Sequence, residues 1–173
     1  MKAVVSFIKD ILIAVLIAAV ILIFLKPIIV QQESMVPNFQ SGDYLIISRQ
    51  SYKLFGEMQR GDVIVFKSDL YDERGNQKNL IKRIIGLPGD KIEITGGQVY
   101  LNGELLDEDY IKEQGVSGEM EEITVPDKHL FVMGDNRAVS EDSRNASVGP
   151  IDESTVMGKV ILRLYPFNAI KKF

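Results

Sequence analysis

The 173-residue chain contains no cysteine and a single histidine, His129. The first absence removes disulfides, a thiolate nucleophile and any Cys-based zinc site. The second rules out a multi-histidine metal site and leaves His129 as the sole candidate for a histidine-based triad. A basic excess is also missing, since 20 Lys and Arg face 24 Asp and Glu and the formal net charge is −4. A general nucleic-acid binder needs a basic face to displace counterions, so no nucleic-acid partner is expected. The scattered charges describe a mildly acidic, solvated surface. The chain shows no internal repeats or low-complexity tracts, and its length suits one domain with or without an appendage.

Residues 11–25, ILIAVLIAAVILIFL, contain no polar side chain. Carried on to Val30, with only Lys26 and Pro27 interrupting, the segment would span roughly 30 Å as a helix, the thickness of a bilayer's hydrocarbon core. A run without a polar stripe does not suit a helix packed in a soluble core. No small-x-small pattern follows it. The next residues are KPIIVQQES, so the segment reads as an uncleaved signal-anchor. Lys2 and Lys9 precede the run, while Glu33 and Asp43 follow it. The positive-inside bias then sets the N-terminus in the cytoplasm and the rest of the chain outside.

Helical periodicity is scarce after residue 30. Short runs rich in Val, Ile, Tyr and Phe alternate with turn residues, as in DYLIISR (43–49), DVIVFKS (62–68), NLIKRIIGL (79–87), HLFVMGDN (129–136) and TVMGKVILRLYPF (155–167). KIEIT, QVYL and NGELL read as hairpins turned at Gly96-Gly97 and Asn102-Gly103. The expected fold is mainly β, an N-terminal transmembrane helix followed by an antiparallel sheet domain forming a sandwich or partly closed barrel. Residues 69–79 read as a solvated loop, and residues 107–128 as an acidic excursion from the sheet. Tyr52, Leu54, Phe55 and Met58 make membrane contact by the loop 51–58 plausible.

Ser34 lies in QQESMVPNF, a few residues past the apolar run. A linker or a nucleophile held near a bilayer would both fit. A serine needs a base to attack a carbonyl, and with one histidine in the chain a lysine becomes a candidate. A lysine is a base only when neutral, which requires desolvation. In a strand over 79–87, Lys82 shares its face with Leu80 and Ile84, while Ile81, Arg83 and Ile85 take the other. That pattern fits a desolvated base and equally an edge-strand lysine that discourages sheet pairing. His129, entering a strand from a turn, fits a surface residue better than a base. The stretch GDNRAVSEDSR (134–144) packs polar side chains densely enough for a site-positioning network or an exposed loop.

Together these pieces resemble type I signal peptidases, membrane-bound Ser/Lys endopeptidases. ESMVP is similar to the nucleophile motif, IKRIIGLPGD to the lysine motif and GDNRAVSEDSR to the third motif, with RGDVIVF between the first two. The resemblance covers essentially the whole chain and implies residues 1–30 as cytoplasmic tip and anchor and 31–173 as an extracytoplasmic β-rich peptidase domain. It implies Ser34 as nucleophile and Lys82 as general base. Ser140 would hydrogen-bond the lysine amine, Asp142 and Arg144 would brace the site, and Met35 would line the substrate cleft. It further implies cleavage of signal peptides with small residues at −1 and −3, contact with the lipid bilayer, and no metal or cofactor. Two positions depart from the family pattern. Asn38 replaces a usual Thr, and Gln32-Glu33 precedes the nucleophile, so a second oxyanion donor must be the Gln32 amide or be absent. These departures motivate a narrower function, that of a paralogue serving one substrate such as a pilin-type surface protein. Two rival functions are a non-catalytic anchored assembly module and a self-cleaving Ser/Lys repressor.

Overall fold

The computed structural model describes all residues except 1, 50, 51, 53–55, 112–114 and 117, and leaves aside the side chains of 2–4, 17, 20 and 21. The chain opens with helix α1 (Lys2–Phe24). Val5, Phe7, Leu12, Leu16 and Leu22 on it are each more than 60% exposed. Side chains 17, 20 and 21 fall inside the apolar run, and among the described residues no helix is long and apolar enough to cross a membrane.

The helix stops at Phe24, short of Val30, and strand β1 (Leu25–Ile29) follows directly. Pro27 explains the early stop. It cannot donate to a helix, it biases Lys26 toward extended backbone, and Ile28 and Ile29 are β-branched. A proline is tolerated there because β1 is an edge strand. The sheet therefore begins at Leu25 rather than at residue 31.

Next come β2 (Tyr44–Ser48), β3 (Val63–Tyr71), β4 (Gln77–Gly86), β5 (Lys91–Thr95), β6 (Gln98–Leu101), β7 (Glu104–Leu105) and β8 (Met120–Thr124). The chain finishes with β9 (His129–Met133), β10 (Ile151–Asp152), β11 (Val156–Tyr165) and β12 (Lys171–Lys172). All recorded pairings are antiparallel. The larger sheet runs β1-β2-β11-β3-β4-β9-β10, with β12 beside β11, and the smaller runs β7-β6-β5-β8. Neither closes, so the fold is two open sheets and not a closed barrel. The hairpins turn where expected, with positive φ at Gly96, Gly97, Asn102 and Gly103.

Three expectations shift. The loop at 69–79 shrinks to a hairpin tip, because β3 and β4 extend into it and Asp72 Oδ1 accepts N–H bonds from Arg74 and Asn76. The acidic excursion 107–128 contains β8, whose Met120 and Ile123 pack on a buried cluster of Ile92, Ile94 and Phe131 while Glu121 and Glu122 face solvent. In the loop 51–58, Leu54 and Phe55 lie outside the described residues. Tyr52 and Met58 turn inward onto the cluster of Ile64, Phe66 and Leu80.

Candidate active site

Ser34 sits in the connection between β1 and β2. Val30 N and Gly42 N close the base of this connection through Asp43 O and Val30 O, both at 2.9 Å. Phe39 N bonds to Met35 O at 2.9 Å, which winds residues 35–39 into a turn. Met35 and Phe39 are fully buried in a cluster with Leu45, Ile47 and Val65. The apolar residues flanking the turn thus fix the backbone that presents Ser34. Met35 lies in the core, not on the wall of a cleft, because burying its whole side chain holds the turn down.

Lys82 is on β4, between β3 and β9 in the middle of the larger sheet, which removes the edge-strand reading. Its register partner is Ile64, and Leu80 and Ile84 on its own face belong to a cluster with Phe66, Leu130 and Val132. Its exposure is 0%. Lys82 Nζ lies 2.7 Å from Ser34 Oγ, and this hydroxyl is its one hydrogen-bond partner among the described residues. Burial lowers the Lys82 pKa to about 8, against the opposing pull of the Asp142 and Glu141 carboxylates. An amine so placed is partly neutral near neutral pH and can accept the serine proton.

The third motif closes over Ser34. Asn136 N donates to Ser34 O at 2.9 Å, and Asn136 Nδ2 donates to Glu33 O at 3.2 Å. A Cβ at position 134 would lie 2.5 Å from Ser34 O and 2.3 Å from Ser140 Oγ, so this approach requires glycine. Asp142, fully buried, accepts from Gly134 N at 2.9 Å and from Arg144 Nε and Nη2 at 2.8 and 2.9 Å. The Asp142–Arg144 pair forms and ties the loop at Gly134. Ser140 differs from expectation. Its Oγ is buried without a hydrogen-bond partner, so the bond to the lysine amine is not made, and its hydroxyl lies against Gly134 instead. His129 stays at the start of β9, its Nδ1 beside Asp127 O at 2.9 Å.

Sequence reasoning missed a second layer. Arg83 donates to both carboxylate oxygens of Asp135, at 2.8 and 2.7 Å, and lies over the Tyr110 ring. Asn38 Nδ2 reaches Asp135 Oδ2 at 2.8 Å and Tyr110 O at 2.7 Å. Asp135 is visible in sequence as part of a dense polar motif, but Tyr110 carries no signal. A groove of about 320 Å³ runs between Ile28–Gln32 and the Gln77–Ile81 end of β4, with Gln32 on its wall. An extended chain would fit between these two segments.

The sequence model of the family described as "Signal peptidase, peptidase S26" matches residues 4–165. The chain belongs to the signal peptidase family. Signal peptidase I of Bacillus licheniformis is 36% identical over 179 residues, covering 96% of this chain and 91% of that protein. Signal peptidase I S of Bacillus subtilis (strain 168) is 35% identical over 182 residues, covering 99% and 94%. A crystal structure of a signal peptidase I from Enterococcus faecalis V583 has 33% identity and a TM-score of 0.48, covering 60% of this chain and 96% of that one. As a member of the signal peptidase family, the protein is a hydrolase, a peptidase of a membrane-associated family that acts on preprotein signal peptides.

Proposed function

We propose that the protein is a membrane-anchored Ser/Lys endopeptidase that removes signal peptides from exported preproteins, with Ser34 as nucleophile and Lys82 as general base. The contact of 2.7 Å between Ser34 Oγ and a fully buried lysine amine carries this reading. In the neutral-lysine form the Ser34 O–H donates to Nζ. Oγ attacks the scissile carbonyl as its proton passes to Nζ, and the Ser34 N–H supplies one oxyanion donor. Collapse of the tetrahedral adduct breaks the C–N bond, and the lysine ammonium gives its proton to the leaving amine. The ester that remains is attacked by water, which Lys82 deprotonates in turn, and the serine is regenerated. No step calls on a metal or cofactor.

The signal peptide lies extended in the groove, adding backbone hydrogen bonds beside Ile28–Gln32 and the start of β4. Small residues at −1 and −3 are the specificity this reading carries. Asp142, Arg144 and Ser140 hold the loop that covers the nucleophile, and Met35 supports it from beneath. Gln32, on the groove wall, is the side chain offered as second oxyanion donor.

Helix α1 is the proposed single-pass anchor. Its 23 residues would be roughly 35 Å long. Val5, Leu12, Val15, Leu16 and Leu22 on it are exposed, an apolar surface that suits lipid. The N-terminus is cytoplasmic, and the extracytoplasmic domain starts with β1. This depth puts Ser34 beside the emerging cleavage site.

The test is cleavage of a preprotein with an Ala-x-Ala site by the detergent-solubilised wild type, Ser34→Ala and Lys82→Ala. Cleavage by the wild type alone supports the dyad, and full activity in either variant removes it.

A further inference from the structure

The smaller sheet carries no group of the dyad, yet the segment that leaves it after β7 touches the site twice. Glu108, 6% exposed, accepts from Arg137 Nη1 at 2.7 Å and also from Nη2. Arg137 Nε donates to Gly134 O at 3.0 Å, next to the loop residue that meets Ser34 O. Two residues on, Tyr110 O accepts from Asn38 Nδ2, the Tyr110 ring lies 4.0 Å beneath the Arg83 guanidinium, and the Tyr110 hydroxyl donates to Glu108 Oε1 at 2.6 Å. The contacts close a ring. It runs from the turn that carries Ser34 through Asn38, Tyr110, Glu108, Arg137 and Gly134, and returns through Asn136 N to Ser34 O.

We propose that Glu108 and Tyr110 are positioning residues for the nucleophile. They clamp the Ser34 turn to the 134–144 loop from the segment that follows β7, which supplies no reacting atom. This rests on the Ser34/Lys82 reading above.

Asn38 is the coupling residue, and its identity matters. An amide nitrogen has two N–H donors, and here one serves Asp135 and the other serves Tyr110 O. A threonine hydroxyl has one donor and can serve only one of them. The ring is buried at Arg137–Glu108, part-buried at Asn38 and Tyr110, and charge-assisted through Arg137–Glu108 and the adjoining Arg83–Asp135 pair, so it resists distortion better than isolated neutral bonds would. The groove walls belong to Ile28–Gln32 and β4, not to residues 106–111. Loosening the clamp should therefore disturb the reacting geometry while leaving peptide binding intact. Displacement of a nucleophile by about 1 Å can cost about 10²-fold in rate.

The experiment compares the full-length wild type in detergent with Glu108→Gln, Asn38→Thr, the double variant and Glu122→Gln, on an Ala-x-Ala preprotein across a range of pH. Glu122 pairs with Lys91 on the exposed face of the same smaller sheet and serves as control. Glu108→Gln is expected to lower kcat about tenfold or more and Asn38→Thr about threefold to tenfold. KM should stay within about twofold and the midpoint of the pH profile should not move, because substrate groove and lysine environment are retained. The double variant should fall little below the worse single one, since both cut the same ring. The Glu122→Gln control should match the wild type. The proposal is overturned if both single variants keep kcat within about twofold of wild type, or if lost rate comes with a matching rise in KM. Should Glu108→Gln not fold, Asn38→Thr alone decides. A wild type that does not cleave refutes the dyad and the clamp together, whereas a cleaving wild type with unchanged variants refutes the clamp alone.

Discussion

Lys82 and Arg83 are consecutive cations on β4, and the two faces of that strand treat them in opposite ways. Arg83 is given everything a buried cation needs, namely a bidentate carboxylate in Asp135, the Gly61 carbonyl at 2.8 Å and an aromatic ring. Lys82 is given apolar neighbours and one neutral hydroxyl. Asp142 and Glu141 act on it through space and form no hydrogen bond with it. A fold that simply tolerated two buried cations would pair both. Withholding a counterion from one of them costs stability and, in the proposed mechanism, yields a base. The pairing next door fixes the strand and the Asp135 loop around it.

The largest effects should separate the two faces by activity. Ser34→Ala and Lys82→Met should each lower kcat/KM by about 10⁴-fold or more, measured as preprotein cleavage, because each removes half of the proposed proton-transfer pair. Stability should separate them next, and with opposite sign. Arg83→Met leaves buried Asp135 without its cation, with only the Asn38 amide bonded to it, and should destabilise the fold by about 3 to 5 kcal/mol in chemical denaturation. Lys82→Met at pH 7 removes an uncompensated buried amine of similar volume and should stabilise it by about 1 to 3 kcal/mol. Two variants shifting in the same direction would break the comparison.

A smaller effect concerns pH. The folded Lys82 pKa, about 8, lies below the ordinary 10.5, so between these values the unfolded chain binds more protons than the folded one. Stability from this residue is fully present above 10.5, declines as pH falls toward 8, and is constant below. The slope across that window should vanish in Lys82→Met. The smallest effect should come from Lys91–Glu122, an exposed pair, where either substitution to a neutral residue should leave the denaturation midpoint close to that of the wild type.

Much of this is legible in sequence because it is local. Alternation along NLIKRIIGL places Lys82 among apolar neighbours, and Asn102-Gly103 announces a hairpin. The illegible parts are contacts made at long range. Asn38 stands out only as a departure from a family pattern, and its purpose appears when Tyr110, 72 positions later, comes alongside. Glu108 reads as one more acid in an excursion from the sheet, and only the fold brings Arg137, 29 positions on, to meet it. Hydropathy carries the helix through to Val30 because it does not distinguish a lipid-facing turn from an edge strand, while Pro27 does. Ser140 and Met35 show the opposite limit. Resemblance gives each a role beside the dyad, yet one makes no bond to the amine and the other turns into the core.

The most direct test of a lysine whose pKa is lowered by burial is its own titration, followed by NMR of the Lys82 side chain in the detergent-solubilised full chain and assigned by its loss in Lys82→Met. A midpoint near pH 8, coincident with the rising limb of kcat/KM for preprotein cleavage, is the result expected here. A midpoint at the ordinary lysine value, with activity already complete several pH units lower, would contradict it.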